Sequence, residues 1–148
     1  MKKTLALLLA LPLVAAAPAG FVYWSAAGLK SIEQGLAGKK TGIQQLENFG
    51  NHSTMMVHRE VSGEVELHQK MVDVMMIENG SATLAVGGEV VNGRTTAPGE
   101  IRGASINGGI KQKVAVGDII HIPANTPHQV LLDPGKQISY FVVKVAAK

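Results

Sequence analysis

From Thr54 to Ala146 the chain is written in short apolar or alternating runs, each ended by glycine, asparagine, aspartate or proline. "TMMVHRE", "EVELHQ", "VDVMMIE", "SATLAVG", "GEVV", "KQKVAV", "DIIHIP", "HQVLL" and "ISYFVVKVA" have the length and side-chain pattern of strands. Turn signals stand between them at Ser62-Gly63, Asn79-Gly80, Gly87-Gly88, Gly117-Asp118 and Asp133-Pro134-Gly135. Many short strands with regular turns and almost no helix predict an all-β sandwich or barrel. The chain has no cysteine, so no disulfide can substitute for a packed interior.

The first residues follow a different grammar. Met1-Lys2-Lys3 leads into an apolar run, and no charge occurs between Lys3 and Lys30. A basic start, an apolar middle and the small residues Ala17-Pro18-Ala19 are the three parts of a secretory signal. Cleavage after Ala19 fits the small-x-small rule, and a cut after Ala27 is the alternative. Either cut predicts a periplasmic or secreted protein with no stable membrane span after processing. Uncleaved, the same stretch is long enough to anchor in a bilayer, but Pro12, Pro18 and the alanine-rich end favour cleavage. Removing residues 1–19 takes away Lys2 and Lys3 and no acid, so the net charge falls from +3 to +1. No basic stripe with interleaved aromatics remains, so nucleic acid is not an expected partner. Residues 28–50 are polar with sparse apolar positions, and Thr41 is placed to cap a short helix carrying Ile43, Leu46 and Phe49. The expected organisation is a signal over 1–19, a helical or linker segment over 28–50 and a β domain over 51–148.

The chemistry concentrates around two histidines. In "GDIIHIPANTPHQV" a strand runs into a corner set by Pro123 and Pro127, with Asn125 between them. Proline fixes its own φ and asparagine tolerates the left-handed conformation, so the corner holds His128 in a preset position. Upstream, "EVELHQK" alternates and places Glu66, His68 and Lys70 on one strand face. The next strand carries Asp73, Met75 and Ile77 on one face and Val74 and Met76 on the other. Where these faces share one interior, Glu66, His68, Asp73 and His128 converge. Two imidazoles with one or two carboxylates suit a divalent transition metal with an open coordination position. Each residue also has a plainer role. Asp73 suits a turn cap, Glu66 a solvent-facing pair with Lys70, and His121 a packed position behind the ligands. Met55, Met56, Met71, Met75 and Met76 suit an oily pocket lining or simple core filling, with Met75 the candidate substrate contact. The glycine-rich segment 92–109 reads as a functional flap or as disorder. Its Arg102 is a candidate bidentate clamp for an anionic ligand; the alternative is an extended hairpin with a solvated arginine.

These residues resemble the cupin superfamily. Its second motif, G-x5-P-x-G-x2-H-x3-N, is matched by Gly117, Pro123, Asn125 and His128, with asparagine in the glycine place and Leu132 in the final asparagine place. Its first, G-x5-H-x-H-x3,4-E-x6-G, is matched more loosely by Glu66-x-His68-x4-Asp73-x6-Gly80, with Glu60 where the leading glycine stands. A register pairing His68 with Lys70 leaves too few residues before Asp73. The stretch 53–145, with "GEIRG" before the second motif, is similar to small exported single-domain cupins. The resemblance implies a small jelly-roll β-barrel with a short N-terminal helix. It also implies a metal (Fe, Mn, Zn, Ni or Cu) held by His68 and His128, with Asp73 and Glu66 completing the set. The function it implies is a metal-dependent oxygenase or isomerase acting on a small organic acid or phenol. Two rivals stand beside it, a non-catalytic binding or sensing module and a metal-free structural barrel. No acid, base or nucleophile other than the ligands stands out, so catalysis is left open. Cupin-like barrels commonly pair, and "ISYFVVKVA", apolar on both faces, adds to the expectation of a homodimer.

Overall fold

In the computed structural model, which describes residues 17–147, the first regular element is helix α1 (Ala26–Leu36). Ser25 caps it by accepting a hydrogen bond from the Gly28 N–H at 3.0 Å. Leu29, Ile32 and Leu36 recur at helical spacing and pack, with Trp24, on Met56 and Phe141. Gly38, at φ 80°, ends the helix.

The helix expected at Thr41 is instead a strand, β1 (Thr41–Asn48). Its three-residue spacing comes from a two-faced strand with a bulge between Gln45 and Glu47. Ile43, 59% exposed, borders the cavity on the barrel side, and Leu46 faces the layer under α1. The segment between signal and barrel therefore supplies one helix, nearer the N-terminus than expected, and the first strand.

The remaining strands are β2 (His52–Arg59), β3 (Val65–His68), β4 (Met71–Val86), β5 (Glu89–Val91), β6 (Arg94–Ala97) and β7 (Glu100–Gly103). They are followed by β8 (Ser105–Asn107), β9 (Ile110–Ala115), β10 (Ile119–Ile122), β11 (His128–Leu131) and β12 (Ile138–Ala146). The main sheet runs β1-β2-β12-β4-β11-β3-β7-β6, with β9 and β10 also on β4 and a small β5-β8 pair beside it. Its pairings are all antiparallel. The result is an all-β jelly-roll in which the sheet curls around one interior.

The runs "VDVMMIE" and "SATLAVG" are a single strand, not two. The first half of β4 pairs with β12 and β10, and its second half with β11 and β9. Asn79-Gly80 marks a bend where one half of the barrel passes into the other. Gly80 has φ 75°, and a Cβ there would meet the Gln137 carbonyl oxygen at 2.0 Å, so no side chain fits.

Alternation sorts each long strand between two layers. Val57, Met75, Ile77, Leu84, Tyr140 and Val142 fill the barrel, while Met56 and Phe141 lie under α1. This accounts for the apolar character of both faces of β12. It is a central strand between β2 and β4, with α1 over its outer side. The segment 92–109 is ordered too: β6 and β7 pair as a hairpin, and β8 returns to β5. Among the described residues no helix is long and apolar enough to cross a membrane. The expected signal lies outside the described residues up to residue 16.

Candidate metal centre

Strand register assembles the site from cross-strand pairs. On β3 and β7, Glu66 lies opposite Arg102 and His68 opposite Glu100; on β4 and β12, Asp73 lies opposite Lys144. His128, at the start of β11, is paired with Glu66 of β3. The corner before it is built as its composition requires. Asn125 takes φ 59° in the family's glycine place, and its N–H donates to the His68 carbonyl at 2.7 Å. One turn thus fixes the backbones of both histidines.

Glu66, His68, Asp73 and His128 are all brought together. Glu66, His68 and His128 each offer a ligand atom within 4.8 Å of the others. Asp73 Oδ2 lies 3.3 Å from His68 Nε2 and 3.5 Å from His128 Nε2. The far ring nitrogens are engaged. His68 Nδ1 meets Glu100 Oε2 at 2.6 Å, and His128 Nδ1 meets the Thr126 carbonyl at 3.1 Å. Both partners are acceptors, so each Nδ1 carries a proton and each ring turns Nε2 toward the centre. A histidine oriented by a carboxylate or carbonyl behind it is the usual arrangement of a metal ligand. The donor set therefore fits a divalent transition metal.

The centre forms the polar end of a cavity of about 240 Å³. Met55, Val57, Met75, Val130 and Val142 line its apolar wall, and Ile43 stands in it as well. Met75 is thus in the pocket, while Met56 and Met76 belong to the outer layer. Arg102 is only partly solvated. Its guanidinium, 25% exposed, donates to Glu100 at 3.2 Å and faces the same cavity. His121 is exposed on β10, opposite in facing to the buried Ile122, so it does not pack behind the ligands.

Three charged residues of the site were not foreseen. Arg59 donates to Glu66 at 2.9 Å and to the Tyr140 hydroxyl at 2.9 Å. Glu100 orients His68. Lys144 places its ammonium 2.7 and 3.0 Å from the two Asp73 oxygens and 2.8 Å from His68 Nε2. A signal for two of them exists in the sequence. Arg59 shares parity with Met55 and Val57, and Lys144 with Tyr140 and Val142, so each is a charge on an inward face.

These contacts set the ionisation of the centre. Burial pushes the Glu66 carboxyl up, but His68, Arg102 and Arg59 outweigh it and bring its pKa down to about 2. Asp73 is likewise held far below the ordinary carboxylate range by the two histidines and Lys144 against the effect of burial. For His68, burial lowers the pKa and the Lys144 ammonium adds to this, while Asp73 and Glu66 raise it, to about 9 overall. The 2.8 Å contact between Nε2 and Nζ has room for one proton. In the geometry present Lys144 donates and His68 accepts.

A second network sits on the outer face. His58 meets Ser139 Oγ at 2.8 Å and Glu60 at 3.2 Å, the order of groups in a nucleophilic triad. Ser139 is only 1% exposed, so no substrate reaches it and the network serves to join β2 to β12.

No protein-family model matches the sequence, and no curated protein matches it. Solved structures do share its fold. A protein of Ralstonia eutropha JMP134 proposed to be a mannose-6-phosphate isomerase superposes with a TM-score of 0.53 at 17% identity, over 76% of this chain and 90% of that one. A cupin-2 domain from Rhodospirillum rubrum gives 0.53 at 16% identity, over 74% of this chain and 62% of that one. A recombinant oxalate oxidase in complex with glycolate gives 0.52 at 12% identity, over 74% of this chain and 53% of that one. The chain therefore shares the fold of these cupin-domain structures.

Proposed function

We propose that this cupin-fold protein binds a divalent transition metal (Fe, Mn, Zn, Ni or Cu) and a small oxygen-bearing organic molecule, an acid or a phenol, beside it. The observation that carries the reading is the pair of imidazoles held at Nδ1 with Nε2 turned inward, meeting Glu66 and Asp73 at the end of an apolar cavity. His68, His128, Glu66 and Asp73 would hold the ion, which supplies Lewis acidity toward an oxygen of the bound molecule. Arg102 faces the same space and meets an anionic end, while Met55, Val57, Met75 and Val142 exclude water around the rest. The neighbours in fold carry different names, an isomerase and an oxidase, and fold alone does not choose between reactions. A carrier or sensor without turnover is the second reading. One observation favours it: Glu66 is held by Arg59 and Asp73 by Lys144, so neither carboxylate is a ready general base.

The test is metal stoichiometry by elemental analysis, with circular dichroism to confirm folding. Wild type should carry close to one equivalent. His128→Ala and His68→Ala should each lose it while remaining folded, and the double variant should lose nothing more, because either deletion already breaks the set. The exposed His121→Ala should keep its metal. Full occupancy in folded His128→Ala would end the metal reading.

A further inference from the structure

Lys144 stands in an unusual place for a lysine. It arises from β12 directly opposite Asp73, with its side chain 18% exposed, and its ammonium reaches across to β3. Its ammonium lies within hydrogen-bond distance of both Asp73 oxygens and of His68 Nε2. That nitrogen is the atom His68 must offer to a metal, because its other ring nitrogen is bound to Glu100. One lone pair cannot serve an ammonium and a metal together.

We propose that Lys144 is a built-in competitor for the cation position, neutralising the ligand set when no metal is bound and giving way when one enters. The inference rests on the metal reading above and adds a residue that opposes binding. The molecule has the means for the exchange. Lysine carries its charge on a flexible four-carbon stem, and Lys144 borders the cavity of about 240 Å³, which has space for the displaced ammonium. Asp73 needs a cation in either state, since an unpaired buried carboxylate is costly. Lysine and metal therefore answer the same electrostatic demand in turn. With the metal in place, the ammonium released into the cavity joins Arg102 there and strengthens the preference for an anionic ligand.

The experiment is a titration of chelator-stripped protein with Zn²⁺ against a chromophoric competitor, for wild type, Lys144→Met and Arg102→Met. Methionine keeps much of the stem and removes the donor. Lys144→Met should bind roughly 10- to 100-fold more tightly, the range expected from freeing charge-assisted hydrogen bonds. Arg102→Met also removes one positive charge near Glu66 but frees no lone pair of His68, so its gain should be much smaller. Stripped Lys144→Met should melt below wild type and recover more on adding Zn²⁺, because Asp73 has then lost the ammonium that lies 2.7 Å from it. Equal gains in the two variants would reduce Lys144 to one charge among several and overturn the proposal. So would unchanged or weaker binding in Lys144→Met. Zn²⁺ binding by none of the three proteins would overturn the metal reading and this inference together, whereas equal, tight binding by wild type and Lys144→Met would overturn this inference alone.

Discussion

Glu66 shows how one residue can be both buried and ionised. Its carboxylate is 23% exposed, yet Arg59 at 2.9 Å and His68 at 3.3 Å more than offset the loss of water. Its folded pKa, about 2, lies below its ordinary 4.5. A depressed acid stabilises the fold above the ordinary value and ceases to do so as pH falls through the folded one. Urea unfolding of metal-stripped protein should therefore show stability declining between pH ~4.5 and ~2, with Glu66 contributing about 3 kcal/mol of the change. Asp73, depressed further, extends the decline to lower pH. Glu66→Gln should be less stable at neutral pH, having lost its pairing with Arg59, but its curve should be flatter across that window. A curve as steep as wild type would place the acid sensitivity elsewhere. Much of this residue-level chemistry was legible. His128 stood out from the rigid corner, and His68, Asp73 and Glu66 from strand parity. Arg59, Glu100 and Lys144 were not found, because their roles depend on which strands become neighbours, and periodicity within a strand does not specify that.

Among the elements, β4 decides the architecture. It is 16 residues long and belongs to both halves of the barrel, so it must change direction without ending. Gly80 allows this, with φ 75° and the Gln137 carbonyl packed where a Cβ would stand. Gly80→Ala should destabilise the protein by roughly 3 kcal/mol or more, combining left-handed strain with a backbone collision. Thermal or urea unfolding measures this, and a loss under ~1 kcal/mol would show that the bend tolerates a side chain. Strand content along 54–146 was readable from alternation and turn residues. The bend itself was not, because Asn-Gly announces a reversal as readily as a kink and only pairing with β12 on one side and β11 on the other distinguishes them. Residues 41–48 misled for a related reason. Apolar residues three apart suit one helix face, but on a bulged strand the same spacing places residues on opposite faces.

Viewed as a whole molecule, the barrel carries its helix like a cover on one side and its cavity on the other. Ser25 caps α1 and Trp24 packs on Phe141, with ring centroids 5.6 Å apart. A signal cut after Ala27 would remove both, along with the first two helical residues. Processing should therefore occur after Ala19, and the intact mass of exported protein should lack residues 1–19 only. A mass lacking 1–27 would show that α1 holds without its cap, and full-length protein in the membrane fraction would indicate an anchor. The same contact gives the molecule an optical signature. Trp24 is its single tryptophan, so all indole emission originates from the cover and none from the cavity side of the sheet. A red shift of that emission with strand ellipticity unchanged would mark a state in which the helix has lifted while the barrel endures. A protein cut after Ala27 would be dark at indole wavelengths, with only its tyrosine left to report.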